Sequence, residues 1–384
     1  MAYLILNNNE TMIRALENLD NEQLQAWEDA LIAYMYQMKW QQTWDGQAIP
    51  KDIVKSICAH ALRLSDAFTL DRTKLDQHYF NKKDVQVAYL MYFHLANVVR
   101  VAACLKSYLD KYIQHNTKKT KIHILDLGSG WGATAWAIEF LLKNHWPHIR
   151  AEVVLTDQNK SILEQAKNLF SFMPFTQVKV SSKVFDLNTK KTLKILHQKQ
   201  PYDLIVAANA INEVSKNTQE QVDRVFTILW KYHLSTNGAI VIVEPALMST
   251  SKQLTHLRDQ WLQAWQAYSP FPCLHQAQCP MNKDKKDWCH FETLWHAPRL
   301  RKTIERFLEH KDKALKASYI VLSKIDLQKQ ETNNKVRVIS NELKLKPKRC
   351  VLVCTSNGKQ LIELDKSLKK NTYRRGDTIT LQTL

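Results

Sequence analysis

The stretch Lys121-Ile122-His123-Ile124-Leu125-Asp126-Leu127-Gly128-Ser129-Gly130-Trp131-Gly132-Ala133 decides how this chain folds. Ile122–Leu127 is apolar and β-branched, the composition of a buried strand, and Ala133–Leu142 has the residues of a helix. Between them stand three of the chain's seven glycines, within five residues. Glycine is needed where backbone bends at positive φ or where a ligand must come close to it, so scarce glycine concentrated after a strand predicts a ligand loop. The string also satisfies G-x-G-x-x-A through Ala133, a weak dinucleotide pattern by itself.

Working outward, further short apolar runs follow at Ala151–Thr156, Tyr202–Ala207 and Ala239–Glu244, separated by stretches long enough for helices. Alternating strand and helix predicts a parallel sheet covered on both faces. Two later runs, Trp288–Leu294 and Ser318–Ile325, complete the sheet as an edge hairpin, with a helix over Pro298–His310 between them. Asp126 ends the first strand just before Gly128, where it would repel a pyrophosphate and welcome a cationic methionine ammonium or sulfonium. Asp157 closes the second strand, placed for ribose hydroxyls, and Asp186 follows the third (Val180–Phe185), placed near an adenine edge. Acid, glycine loop, acid and acid at successive strand ends is the layout of a class I methyltransferase, so S-adenosylmethionine is preferred to a nicotinamide dinucleotide. Gly128, Ser129, Gly130 and Gly132 form the cofactor loop in this reading.

The fourth strand ends in Ala208-Asn209-Ala210-Ile211-Asn212-Glu213, at the rim facing a transferred methyl group. Asn209 joins the cofactor set, whereas Asn212 and Glu213 read as loop and cap residues. The Asn/Asp-Pro-Pro-aromatic signature of amino-group methylation of bases is absent, and no cysteine stands at the fourth or fifth strand tip as a cytosine-C5 nucleophile. No catalytic residue is assigned.

The first 115 residues read as helices. Leu24, Trp27, Leu31, Tyr34 and Met35 recur at helical spacing, as do Val85, Leu90, Tyr92, Leu95, Val98, Val99, Ala102 and Leu105. The predicted divisions are a helical region at 1–115, a methyltransferase domain at 116–326 with a cysteine-rich insertion at about 270–298, and a small β module at 327–384. Short alternating runs (Val336–Ile339, Arg349–Cys354, Gln360–Leu364, Thr378–Leu381) with Asn357-Gly358 and Arg375-Gly376-Asp377 turns carry the last of these.

Charge divides the chain in the same way. The formal net charge is +17 over 384 residues. Residues 1–120 carry 14 basic and 13 acidic groups, residues 121–250 carry 14 and 11, and residues 251–384 carry 26 and 13. The last third is therefore net +13, the footprint of a surface that meets a polyanion. Apolar runs such as Ala239–Val243 fall far short of the roughly 18 residues of a membrane span, and Met1–Asp20 lacks a secretory pattern. A monomer in the cytoplasm, away from membranes, is expected.

Five of seven cysteines follow residue 270: Cys273, Cys279, Cys289, Cys350 and Cys354. The first three lie in a proline-rich, turn-like stretch that can wrap a shared metal. Cys354 and Cys350 are the sulfur candidates for a fourth ligand, and His275 and His290 the nitrogen ones. All-thiolate ligation allows zinc or an iron–sulfur cluster, while a histidine favours zinc.

The glycine loop, Ala208–Glu213, Val243-Glu244-Pro245, the block Cys273-x-His275…Cys279-Pro280…Asp287-Trp288-Cys289-His290-Phe291 and the run Ser318–Ser323 occur in this order in one known family. From Val85 onward the chain resembles the methyltransferase-like protein 17 family of mitochondrial small-ribosomal-subunit assembly factors and its bacterial relatives. The resemblance implies a class I methyltransferase fold acting on small-subunit ribosomal RNA or ribosomal particles. It also implies a [4Fe–4S] cluster on Cys273, Cys279, Cys289 and the cysteine of a Cys-Thr-x-x-Gly string, here Cys354. One departure is Leu274, where the family usually has proline. The leading expectation is an rRNA methyltransferase acting in ribosome assembly. The alternatives are a non-catalytic assembly factor that binds rRNA, and a small-molecule methyltransferase with a zinc knuckle.

Overall fold

The computed structural model describes residues 5–6, 12–13, 21–69, 82–187, 196, 200–211, 219–283, 286–309, 314–327, 335–345, 348–355, 358–364 and 373–380. Strands β1 (Ile5–Leu6) and β2 (Met12–Ile13) come first. Helices α1 (Asn21–Trp40), α2 (Lys51–Thr69), α3 (Lys83–Tyr89) and α4 (Leu95–His115) follow, with a π-helical turn at Leu90–His94 joining the last two. Lys83–His115 is thus one 33-residue helix, long and apolar enough to cross a membrane by composition alone. Most of it is packed inside the protein, with Val99, Leu105 and Tyr108 wholly buried.

The central unit alternates β3 (Lys121–Leu127), α5 (Ala133–His145), β4 (Arg150–Asp157), α6 (Lys160–Phe172), β5 (Val178–Val184), β6 (Tyr202–Ala208), α7 (Gln219–Ile228), β7 (Leu234–Glu244) and α8 (Met248–Trp265). It closes with β8 (Phe291–Leu294), α9 (Arg299–Phe307) and β9 (Ala314–Ser323). The strand order is β5-β4-β3-β6-β7-β9-β8. The first five are mutually parallel, and β9 runs antiparallel to both β7 and β8. This is the α/β, mostly parallel sheet expected, including its terminal hairpin.

The two parities of β3 face different cores. Ile122 and Ile124 join the side chains of α1, α4, α5 and α6, while Leu125 and Leu127 join α7 and α8. The N-terminal helices share the first core: Trp27 of α1 meets Trp136 of α5 edge-on, with ring centroids 5.3 Å apart. Glu28 of α1 accepts hydrogen bonds from Leu300 N and Arg301 N, both at 2.8 Å, and so caps the start of α9.

A second sheet is built from β10 (Lys335–Val338), β11 (Leu343–Leu345), β12 (Lys348–Thr355), β13 (Gly358–Leu364) and β14 (Thr378–Thr380). Its order is β1-β13-β12-β10-β14-β2, with β11 on β12. Val336, Val338, Val351, Val353, Ile362 and Ile379 form its apolar face. The expectation that residues 1–115 are helical is corrected here. β1 pairs with β13 and β2 with β14, so the chain's beginning completes its C-terminal sheet. Two-residue strands carry no periodicity, and their partners lie more than 350 residues away.

Candidate functional site: a cleft at the strand tips and a cysteine junction

Strand order reverses beside β3, between β4 and β6, which opens a crevice at the carboxyl ends of β3 and β6. A small cleft lies there, lined by Tyr89, Asn97, Asp126, Gly128, Ser129, Gly130, Ala133, Thr134, Asp157, Ala208 and Asn209. Six of the eight residues assigned to the cofactor from sequence therefore surround one space. Gly132 instead takes the N-cap of α5 at φ +78, and neither it nor Asp186 is among the walls.

The loop is held by backbone. Ser129 N donates to Thr156 O at 2.8 Å, and Gly132 N to Ser129 O at 2.7 Å. Gly128, at φ +65, approaches the next strand tip so closely that a Cβ on it would lie 2.6 Å from the Cβ of Ala210. Gly130 lines the cleft, and a Cβ on it would meet no atom within 4 Å. Asn209 adopts φ +58, a left-handed conformation uncommon outside glycine, and donates its N–H to Val243 O at 2.7 Å. Asn212 and Glu213 lie outside the described residues.

The acids differ in state. Asp126 is 1% exposed; its Oδ1 accepts from Thr134 Oγ1 at 2.9 Å, and its Oδ2 has no hydrogen-bond partner. Burial, reinforced by the neighbouring Asp157 charge, pushes its carboxyl up to about 8, against the bond from Thr134. Asp157 accepts from Gly130 N at 3.1 Å through Oδ2 and from Asn159 N at 2.9 Å through Oδ1. Burial raises it too, opposed by those backbone bonds. An unpartnered buried carboxyl oxygen facing a cleft suits a cationic ligand.

Sequence reading did not find Tyr89 and Asn97, which build one wall. They lie on either side of the π-turn, and Asn97 Nδ2 donates to Tyr89 Oη at 3.2 Å. Apolar periodicity marks the buried face of this helix and carries no signal for a polar wall, whereas a π-turn is itself a mark of functional positions.

The second assembly is at the junction with the C-terminal sheet. Cys279 and Cys354 pack with Met281 and Ile339, and Cys289 lies against them. Each of Cys279, Cys289 and Cys354 also feels the charge of Cys273. Burial first, and then the neighbouring sulfurs, push the Cys354 thiol up to about 12. Cys350 is apart from this group, in cross-strand register with Glu363 and Leu343. Among the described residues no three or more His, Cys, Asp and Glu side chains are set to hold a metal ion, so the expected metal-binding insertion is present as neighbouring thiols only. His275 and His290 point their Nδ1 atoms at the carbonyls of Ala277 and Trp288.

Residues 83–376 match the family described as mitochondrial small ribosomal subunit Rsm22. The chain belongs to this family. The match takes in the Rsm22-family cleft, the cysteine segments and most of the basic third, and agrees with the resemblance to the methyltransferase-like protein 17 family. Among solved structures, the chain is similar to a Listeria monocytogenes protein provisionally assigned as a class I S-adenosylmethionine-dependent methyltransferase. That likeness has 13% identity and a TM-score of 0.39, over 80% of this chain and 89% of that one. It is also similar to an rRNA methylase of Streptococcus thermophilus, at 10% identity and a TM-score of 0.29, over 58% of this chain and 97% of that one. A curated relative, the polyketide synthase PksR of Bacillus subtilis, is 28% identical over 177 residues, 45% of this chain. The chain spans 6% of that synthase's length.

Proposed function

We propose that this Rsm22-family protein binds S-adenosylmethionine in the strand-tip cleft and methylates small-subunit ribosomal RNA during ribosome assembly. The observation that carries the reading is the buried Asp126 oxygen, unpartnered at the mouth of a glycine loop. A cationic methionine group would satisfy it. Gly128, Ser129, Gly130 and Gly132 would shape the loop around the cofactor, Asp157 would receive the ribose hydroxyls, Asp186 would border the adenine, and Asn209 would face the reacting end. When bound, the cofactor supplies an electrophilic methyl group. The protein's part is to align a nucleophilic RNA atom with it and exclude water. The net +13 of residues 251–384 supports a polyanionic substrate, with affinity that falls steeply as salt rises.

Cys273, Cys279, Cys289 and Cys354 would hold a [4Fe–4S] cluster, with zinc as the alternative. Support comes from the donor chemistry: four thiols from the insertion and the C-terminal sheet are neighbours, and Cys350 is set apart from them. Such a group would tie the insertion to the basic sheet, and the redox chemistry it supplies belongs to the metal.

The test is methyl transfer from labelled cofactor to purified small-subunit particles from a deletion strain. Label in RNA that disappears with Asp126→Ala is expected. Salt-sensitive particle binding without label, together with full rescue of assembly by Asp126→Ala, would overturn the methyltransferase reading in favour of a non-catalytic assembly factor.

A further inference from the structure

The cleft at the strand tips has a wall that neither the glycine loop nor the acids supply. Tyr89 and Asn97 build it, from either side of the π-turn at Leu90–His94. They stand eight residues apart in one continuous helix. A π-turn takes up one residue more than an α-turn, so these positions advance as about seven, roughly two turns, and both side chains reach one face. The bond from Asn97 Nδ2 to Tyr89 Oη, 3.2 Å long, records that closeness.

Asn97 is 8% exposed, and a cation sets the direction of its amide. Arg100, which is not among the walls, donates from Nη1 to Asn97 Oδ1 at 2.9 Å. A guanidinium can only donate, so the amide oxygen faces Arg100 and the nitrogen lies on the side of Tyr89. Of the two hydrogens on that nitrogen, one goes to Tyr89 and the other is available to a ligand. The positive charge drawing on the oxygen makes the N–H a stronger donor.

The rest of the cleft needs such a donor. Its walls include Asp126 and Asp157, and no lysine, arginine or histidine is among them. An amino-acid end that sets its ammonium against the unpartnered Asp126 Oδ2 carries a carboxylate on the same carbon, and so brings an anion into an acidic cleft. An anion taken out of water must be hydrogen-bonded. The donors on offer are the Asn97 amide, backed by the Arg100 charge, and the buried Ser129 hydroxyl, which has no partner of its own.

We propose that Asn97, polarised by Arg100, recognises the α-carboxylate of S-adenosylmethionine while Asp126 takes its ammonium, so that the cleft selects its ligand by an intact amino-acid end. The proposal rests on the reading that the cleft binds this cofactor. Asn97 is a binding residue in it, and Arg100 is a positioning residue that acts through Asn97.

Calorimetric titration of the full chain tests this, with S-adenosylmethionine and with its decarboxylated analogue, which keeps the nucleoside, the sulfonium and the amine. Wild type is expected to bind the cofactor about tenfold or more tighter than the analogue, the worth of one charge-assisted hydrogen bond. Asn97→Asp keeps the side chain's size and removes the N–H. It is expected to lose about tenfold or more on the cofactor and to stay within about threefold on the analogue. Asn97→Ala, with the same expected result, is the second variant should the aspartate not fold. Arg100→Gln still donates to Asn97 without a charge, and is expected to lessen the preference about threefold. Asp126→Asn is expected to weaken both ligands alike. Wild type that binds neither ligand overturns the cofactor reading and this proposal with it. Wild type that binds the cofactor without preferring it, or Asn97 variants that weaken both ligands equally, overturns the role of Asn97 alone. An unchanged preference in Arg100→Gln overturns the part given to Arg100, and Asp126→Asn that weakens only the cofactor overturns the assignment of the two ends.

Discussion

With one oxygen bonded to Thr134 and the other unpartnered, Asp126 links the chemistry of the cleft to the stability of the free protein. Its carboxyl lies at about 8 in the folded chain against 3.8 ordinarily, so the folded state holds its proton more tightly than the unfolded state. The stability this confers is fully present below about pH 4 and is lost as pH rises through about 8. Asp126→Asn keeps a neutral group at every pH. The variant, without cofactor, is expected to gain on wild type between about pH 5 and 8 in urea unfolding and to level off above that, while cofactor affinity falls roughly ten- to hundredfold, the loss of one charge-assisted hydrogen bond. A stability difference that is flat with pH would show that Asp126 is not the titrating group. At this scale the sequence was informative wherever chemistry needs a residue type: three glycines and two acids were legible from spacing, and the structure puts Gly128, Gly130 and both acids around one space while Gly132 caps α5. Tyr89 and Asn97 were not legible, because a polar group on a mostly apolar helix is an ordinary thing until the fold brings it to a cleft.

At the scale of elements, long amphipathic segments and buried strands declared themselves, and contacts between distant elements did not. Glu28 illustrates the difference. In sequence it is one acid on an amphipathic helix, yet in the fold its carboxylate takes the backbone N–H groups of Leu300 and Arg301, some 270 residues further on. Gln25 Oε1 takes Arg299 N beside it at 2.9 Å. Glu28→Ala would leave two buried donors at the start of α9 without partners. The expected cost is about 2–4 kcal/mol in denaturant unfolding, with Glu28→Gln losing less because an amide oxygen still accepts. A loss within experimental error for both would mean that water replaces the carboxylate and that α9 needs no cap from α1.

At the scale of the whole molecule, β1 and β2 close the two edges of the C-terminal sheet, so the ends of the chain are coupled. Removing residues 1–13 is expected to raise amide hydrogen exchange in β13 and β14 and leave β3, β4 and β6 protected; equal exchange in all strands would mean that the two sheets unfold as one unit. The same coupling explains what each level of description could reach. The sequence by itself determined the alternation of strand and helix, the ligand loop, the basic last third and the separation of five late cysteines from two early ones, because these follow from local period, backbone freedom and composition. Only the tertiary structure decided that Cys354 rather than Cys350 neighbours the insertion cysteines, that Arg337 is buried against Pro272 and Tyr319, and that the first strands belong to the last sheet. Those outcomes depend on which distant segments pair, and pairing is set by cross-strand register and packing, which leave no mark at any fixed spacing along the chain.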